Sequence, residues 1–149
     1  MLKIAIGSDH GGLNYKNEII PFLEQEGYQV INCGTDTFDS CHYPIFGERV
    51  ANLVASGEAD YGIVICTSGE GICIAANKVN GVRCGIGYND EVTALMRQHN
   101  NCNVISFGEK FISLDDVKRR INIFLNTPFE GGRHLTRVNL IKEIEDKNH

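Results

Sequence analysis

No apolar run in this 149-residue chain approaches the roughly 20 residues needed to cross a bilayer, which excludes a membrane-spanning helix. The amino end, MLKIAIGSDHGG, turns polar too early for a signal peptide, so a cytoplasmic protein is expected. Basic residues are in deficit: 14 Lys and Arg against 19 Asp and Glu leave a net charge of −5. That balance argues against a nucleic-acid binder, while a local basic patch remains able to hold a small anion. The six cysteines include no CxxC pair, and no Cys or His fall at the short spacings of a structural zinc site. A chain of this length builds its own core without disulfide staples, so free thiols are expected. Repeats, low-complexity tracts and linkers are also missing, and residues 1–149 read as one domain.

What is present is an alternation of strand and helix. Ile4–Ile6, Gln29–Ile31, Ile63–Ile65, Val82–Ile86 and Asn103–Phe107 are short, largely apolar, β-branched runs suited to strands covered on both faces. Between them the spacing turns helical. Residues 14–26 align Tyr15, Ile19 and Leu23, with a kink expected at Pro21. Residues 44–56 open on Pro44 and align Phe46, Val50 and Val54. Residues 90–99 are expected to bury Val92, Leu95 and Met96. Ser113 and Asp116 resemble a capping box ahead of Leu114, Val117, Ile121 and Phe124, and a last helix over about 135–146 presents Val138, Ile141 and Ile144. Five strands joined by helical crossovers predict a parallel sheet between two helical layers, with ligands at the carboxyl ends of the strands.

Four motifs could carry chemistry. Gly7-Ser8-Asp9-His10-Gly11-Gly12 follows the first strand but lacks the GxGxxG spacing of a dinucleotide site. Its glycines suit a sharp turn that aims Asp9 and His10 into a cleft; an ordinary turn with a solvated acid and imidazole fits the same residues. Cys66-Thr67-Ser68-Gly69-Glu70-Gly71 follows the third strand, with a helix expected from about Ile72. Backbone N–H groups and the positive end of a helix dipole there would favour an oxyanion, a phosphate or a thiolate. A free thiol of pKa ~8.5 is less than about 10% ionised near neutral pH, and a helix N-terminus commonly lowers that pKa. His99 and Asn100 end a helix, where capping and catalysis are both open. Arg133 and Arg137, four apart, share a helix face as a phosphate clamp or as two solvated cations.

With these motifs in view the chain resembles the ribose-5-phosphate isomerase B family, which also contains the subunits of galactose-6-phosphate isomerase. The likeness runs through GSDHGG, the CGT at 33–35, HYP at 42–44, IAANKVNGVR at 74–83, RQHNNCNVISFGE at 97–109 and EGGRHLTRV at 130–138. It implies a Rossmann-like three-layer α/β/α fold with a five-stranded parallel sheet. It also implies a homodimer or tetramer with shared active sites, the C-terminal helix packing on the partner. The reaction implied is aldose–ketose isomerisation of a sugar phosphate through an enediolate, with no metal or cofactor. Cys66 then matches the general base, Ser68 the hydroxyl that steadies the oxyanion with N–H groups of Gly69 to Gly71, and His99 the acid that opens the sugar ring. Asp9, Tyr43 and Asn100 would hold sugar hydroxyls beside Thr67 and Glu70 of the loop. His10, Arg133 and Arg137 would bind phosphate, the arginines reaching in from the partner.

The chain departs from the family pattern at Thr67, where glycine is usual, at Glu70, where an aliphatic residue is usual, and at Lys110, where arginine is common. Glu70 is expected to point away from the ligand, because a carboxylate beside the thiol would raise its pKa and repel phosphate. Ribose 5-phosphate is the expected substrate. A six-carbon sugar phosphate (allose or galactose 6-phosphate) and a non-catalytic sugar-phosphate-binding subunit are the alternatives.

Overall fold

The apolar β-branched runs become strands because each can bury both faces at once. In a computed structural model describing residues 1–149, β1 (Lys3–Ser8), β2 (Gln29–Asn32), β3 (Tyr61–Cys66), β4 (Cys84–Ile86) and β5 (Val104–Gly108) form one sheet in the order β2-β1-β3-β5-β4. Every pairing is parallel. The helices are α1 (Leu13–Gln25), α2 (Tyr43–Ser56), α3 (Glu70–Asn77), α4 (Asp90–Gln98), α5 (Leu114–Asn126) and α6 (Arg133–Lys147). None is long and apolar enough to cross a membrane.

Strand alternation splits the core into two layers. Ile63 and Ile65 of β3 join Ile19 and Leu23 of α1 and Val117, Ile121 and Phe124 of α5 on one face. Val64 and Cys66 join Val50, Ala51 and Val54 of α2 and Ile72 and Ala76 of α3 on the other. The three-layer reading therefore stands, and its register assigns Cys66 to the α2–α3 side.

Several boundaries move. α3 begins at Glu70 rather than near Ile72, because Gly69 adopts φ +81° and turns the chain into the helix at once. The α1 helix continues through Pro21, whose ring sits on the solvent face where the carbonyl it leaves unpaired can meet water. Of Val92, Leu95 and Met96 only Met96 is buried; Thr93 and Arg97 fill the inner face of α4 instead. Ser113 caps α5 as expected, accepting the Asp116 N–H at 3.2 Å. On α6 only His134 and Val138 are buried, while Leu135, Leu140, Ile141 and Ile144 stay about half exposed.

One buried cation was not legible from periodicity. Lys16 is fully buried on α1, and its ammonium donates to Asn32 Oδ1 and Asp36 Oδ1, both at 2.9 Å. Asn32 in turn donates to Asp36 and accepts the Gly34 N–H, so the group ties β2 to the turn after it. The hydrogen bond from Lys16, then that from Asn32, hold the Asp36 carboxyl below its ordinary value. A carboxyl depressed in the folded state stabilises above the unfolded pKa of about 3.9, and that contribution disappears as pH falls through the folded value. We therefore expect the urea midpoint of the native chain to drop more steeply below about pH 4 than that of Asp36→Asn. Parallel curves would show that the ion pair adds nothing.

Candidate active site

At the carboxyl end of the sheet the loops after β1 and β3 are in contact. Asp9, nearly buried, caps a turn of 3-10 helix at His10–Gly12 by accepting the Gly11 N–H at 2.9 Å. A side chain on Gly12 would lie 2.5 Å from the Ile65 carbonyl and one on Gly11 2.3 Å from the Thr67 hydroxyl, so only glycines let the two loops meet. His10 is exposed; its Nδ1 accepts the Cys41 N–H at 3.2 Å, which leaves Nε2 as the outward donor of the neutral ring. Tyr43 opens α2 with its ring over Gly71, where an added Cβ would come within 2.5 Å of it.

Cys66 ends β3, 5% exposed, and its sulfur accepts the Gly69 N–H at 3.2 Å. Burial alone does not distinguish this thiol, since Cys73 and Cys102 are buried too. A backbone donor from its own loop does; the Cys73 sulfur instead accepts the Asn77 side-chain amide at 3.6 Å. Burial pushes the Cys102 thiol up to about 11 and raises Cys33, while the hydrogen bond with Cys73, then burial, raises Cys84. Cys73 is lowered by the hydrogen bond from Cys84, against burial and the nearby Glu70 carboxylate.

Of the three N–H groups expected at an oxyanion, two are already committed. Gly69 N–H lies on Cys66, and Glu70 N–H donates to Ser68 Oγ at 3.2 Å. Gly71 is left, with the Ser68 hydroxyl. Glu70 is exposed in the first turn of α3, where its charge suits the helix dipole, and it lines a cavity of about 660 Å³ with Cys73 and Cys84 that Cys66 does not reach. Lys110 also sits at this end, its N–H donating to the Thr67 carbonyl at 3.2 Å.

Sequence reasoning missed the residue that fixes this loop. Ser106, fully buried on β5, donates to the Gly69 carbonyl at 2.6 Å. One peptide, Gly69–Glu70, is thereby held at both ends, by Ser106 through its oxygen and by Ser68 through its N–H. The only signal in the sequence is a hydroxyl inside an otherwise apolar strand.

The remaining expected residues gather elsewhere. His99 follows α4, and α4 runs back from the carboxyl end, so His99 and Asn100 lie at the amino end of the sheet. With Val92, Leu95, Met96, His134 and Arg137 they line a cavity of about 360 Å³. The exposed Arg133 and Arg137 open α6 and make no ion pair within the chain. Arg97 braces this corner: its guanidinium donates to the Thr127 and Cys102 carbonyls and to Asn101 Oδ1. Burial, then the neighbouring His99 and Arg133, hold His134 below its ordinary pKa. A six-residue strand spans about 20 Å, so one chain cannot bring Cys66 to His99. The expected residues form two groups at opposite ends of the sheet.

A parallel α/β sheet with a thiol loop at the strand ends, and unpaired guanidiniums on a separate helix, defines a small-molecule enzyme that handles an anion. The Ribose/Galactose Isomerase family pattern matches residues 4–141. Ribose-5-phosphate isomerase B of Escherichia coli is 42% identical over 149 residues, covering 100% of both chains. The solved ribose-5-phosphate isomerase B of Clostridium thermocellum superposes with a TM-score of 0.98 at 49% identity, over 99% of this chain and 100% of that one. The enzyme from Mycoplasma genitalium, solved with bound ribulose-5-phosphate, gives 0.94 at 37% identity over 97% of each chain. The chain belongs to the ribose/galactose isomerase family.

Ser106→Ala removes the side-chain donor to the Gly69 carbonyl and leaves that carbonyl only the first bond of α3, and we expect a loss of about 0.5–1.5 kcal/mol in urea unfolding. An unchanged midpoint would mean the loop holds without it.

Proposed function

We propose that the chain interconverts ribose 5-phosphate and ribulose 5-phosphate through an enediolate. The site joins the carboxyl-end half of one chain to the amino-end half of another. The observation that carries this reading is the division itself: a donor-backed thiol at one end, and an imidazole with two unpaired guanidiniums at the other. The full-length likeness to ribose-5-phosphate isomerases B, one of them solved with the ketose product, supplies the sugar.

In this scheme Arg133 and Arg137 of one chain and His10 of the other take the phosphate, so binding energy from the unreactive end orients the reacting carbons. His99 moves a proton to the ring oxygen and opens the furanose, while Asp9, Tyr43 and Asn100 hold the hydroxyls. The Cys66 thiolate takes the C2 proton and returns it to C1. General base action of this kind is typically worth about 10²–10⁴ in rate. The negative charge that develops on the carbonyl oxygen meets the Ser68 hydroxyl and the Gly71 N–H, and one such donor contributes about 3–4 kcal/mol. No step uses a metal or a cofactor. The half-exposed apolar residues of α6 suit packing against the second chain of a cytoplasmic homodimer.

Cys66→Ala is expected to abolish turnover while ribose 5-phosphate still binds by calorimetry; retained turnover would exclude the thiol as base. Division of the site gives a second test. Cys66→Ala and His99→Asn, each inactive alone, should regain about a quarter of native activity when unfolded together and refolded in equal amounts, since half of random dimers carry one intact pair of half-sites. A mixture as inactive as its components would place the whole site within one chain.

A further inference from the structure

The amino-end group holds a cluster of which the isomerase scheme uses only one member, His99. Glu130, in the segment between α5 and α6, has Oε1 3.4 Å from His134 Nε2 and 3.7 Å from His99 Nε2. The two imidazoles stack, centroids 4.0 Å apart and planes 9° from parallel. All three potential ligand atoms lie within 4.8 Å of one another. We propose that His99, Glu130 and His134 form a binding site for a divalent transition metal of the zinc class, and that its occupation silences the enzyme.

The donor set is the first argument. Two neutral imidazoles and a carboxylate suit zinc, with a fourth position left for water or an anion. Bond lengths of about 2.0–2.2 Å put neighbouring ligand atoms of a tetrahedral ion about 3.3–3.5 Å apart. Both carboxylate–imidazole distances are already close to that span. Only the rings must turn, because stacked rings present their lone pairs side by side; His99, 37% exposed in its side chain, is free to do so.

The backbone is the second argument. Glu130 N–H donates to the Gln98 carbonyl at 3.1 Å, which fastens the acid to the end of α4 beside His99. Gly131 and Gly132, at φ +70° and +58°, then fold the chain back so that His134 returns onto the same carboxylate. His134 is 5% exposed and anchored by its N–H to the Gly131 carbonyl at 3.0 Å. Three ligands from two fixed segments are thus largely positioned before any ion arrives. Arg133 and Arg137 oppose a dication here, and the Glu130 charge offsets part of that. The fourth position opens on the 360 Å³ cavity that Arg137 lines, so an anion there would offset more.

Silencing follows from ligation, since a metal on His99 removes the imidazole that opens the ring; this consequence rests on the role proposed for His99. The binding claim does not.

Cobalt(II) titrated into the full-length protein tests binding by its visible spectrum. We expect one ion per chain, bands of four-coordinate character, and no sulfur-to-metal charge transfer. Glu130→Gln and His134→Asn, each checked for fold by circular dichroism, should weaken binding at least roughly tenfold. Zinc should inhibit the native enzyme, and EDTA should restore it. Absent binding, binding that both substitutions leave intact, or a charge-transfer band that vanishes in Cys66→Ala would overturn the site. Binding as described with turnover undiminished would uphold the site and instead remove His99 from the ring-opening step.

Discussion

Everything functional in this chain is governed by the direction of its strands. Because all five run the same way, every crossover helix must return to the amino end before the next strand begins. Residues at strand ends and residues at helix ends are therefore separated by the length of the strands. Loops after β1 and β3 gather the thiol, the hydroxyls and the first-strand acid and imidazole on one rim. The turn after α4 and the start of α6 gather the second imidazole and the arginines on the other. No side-chain movement bridges that distance. Under the proposed function a second chain would, and it would bring guanidiniums to an otherwise acidic protein at the place where an anion is held.

The rim around Cys66 depends on contact distances that only glycine permits. Gly12 against the Ile65 carbonyl and Gly108 against the Ser68 backbone, where a Cβ would sit 2.5 Å away in each case, let three strand ends converge. Within that convergence the hydrogen bonds form a chain from Ser106 through Gly69 to the sulfur, and from Glu70 to Ser68. The geometry around the thiol is thus set by backbone groups, which cannot swing out of place as long side chains can. The arginine rim is built the other way, from exposed side chains on the first turns of one helix.

Fold class was legible in the sequence because the strands are covered on both faces and so read as unbroken apolar runs. Helices with one clean stripe, such as Ile19 and Leu23 of α1 or Val117, Ile121 and Phe124 of α5, were legible for the same reason. Val92 and Leu95 misled because their spacing is that of core residues while they line an open cavity beside Arg137. The start of α3 was misplaced because a left-handed glycine can end a loop in one residue, and nothing in Gly69 itself announces that. Lys16 and Ser106 were silent: a buried cation and a buried hydroxyl look like pattern errors until their partners on distant segments are known. Motifs named the candidate residues and the resemblance implied their sharing between chains, while which of them sit at which end of the sheet came with the topology.

Tyr43 rests its ring on Gly71, at the opening of α2 and the first turn of α3. The phenol can take this seat only while the other position has no side chain, since an added Cβ would come 2.5 Å from its ring. A side chain gained at 71 would displace the ring, so descendants of this sequence can fill that position only where residue 43 has become smaller.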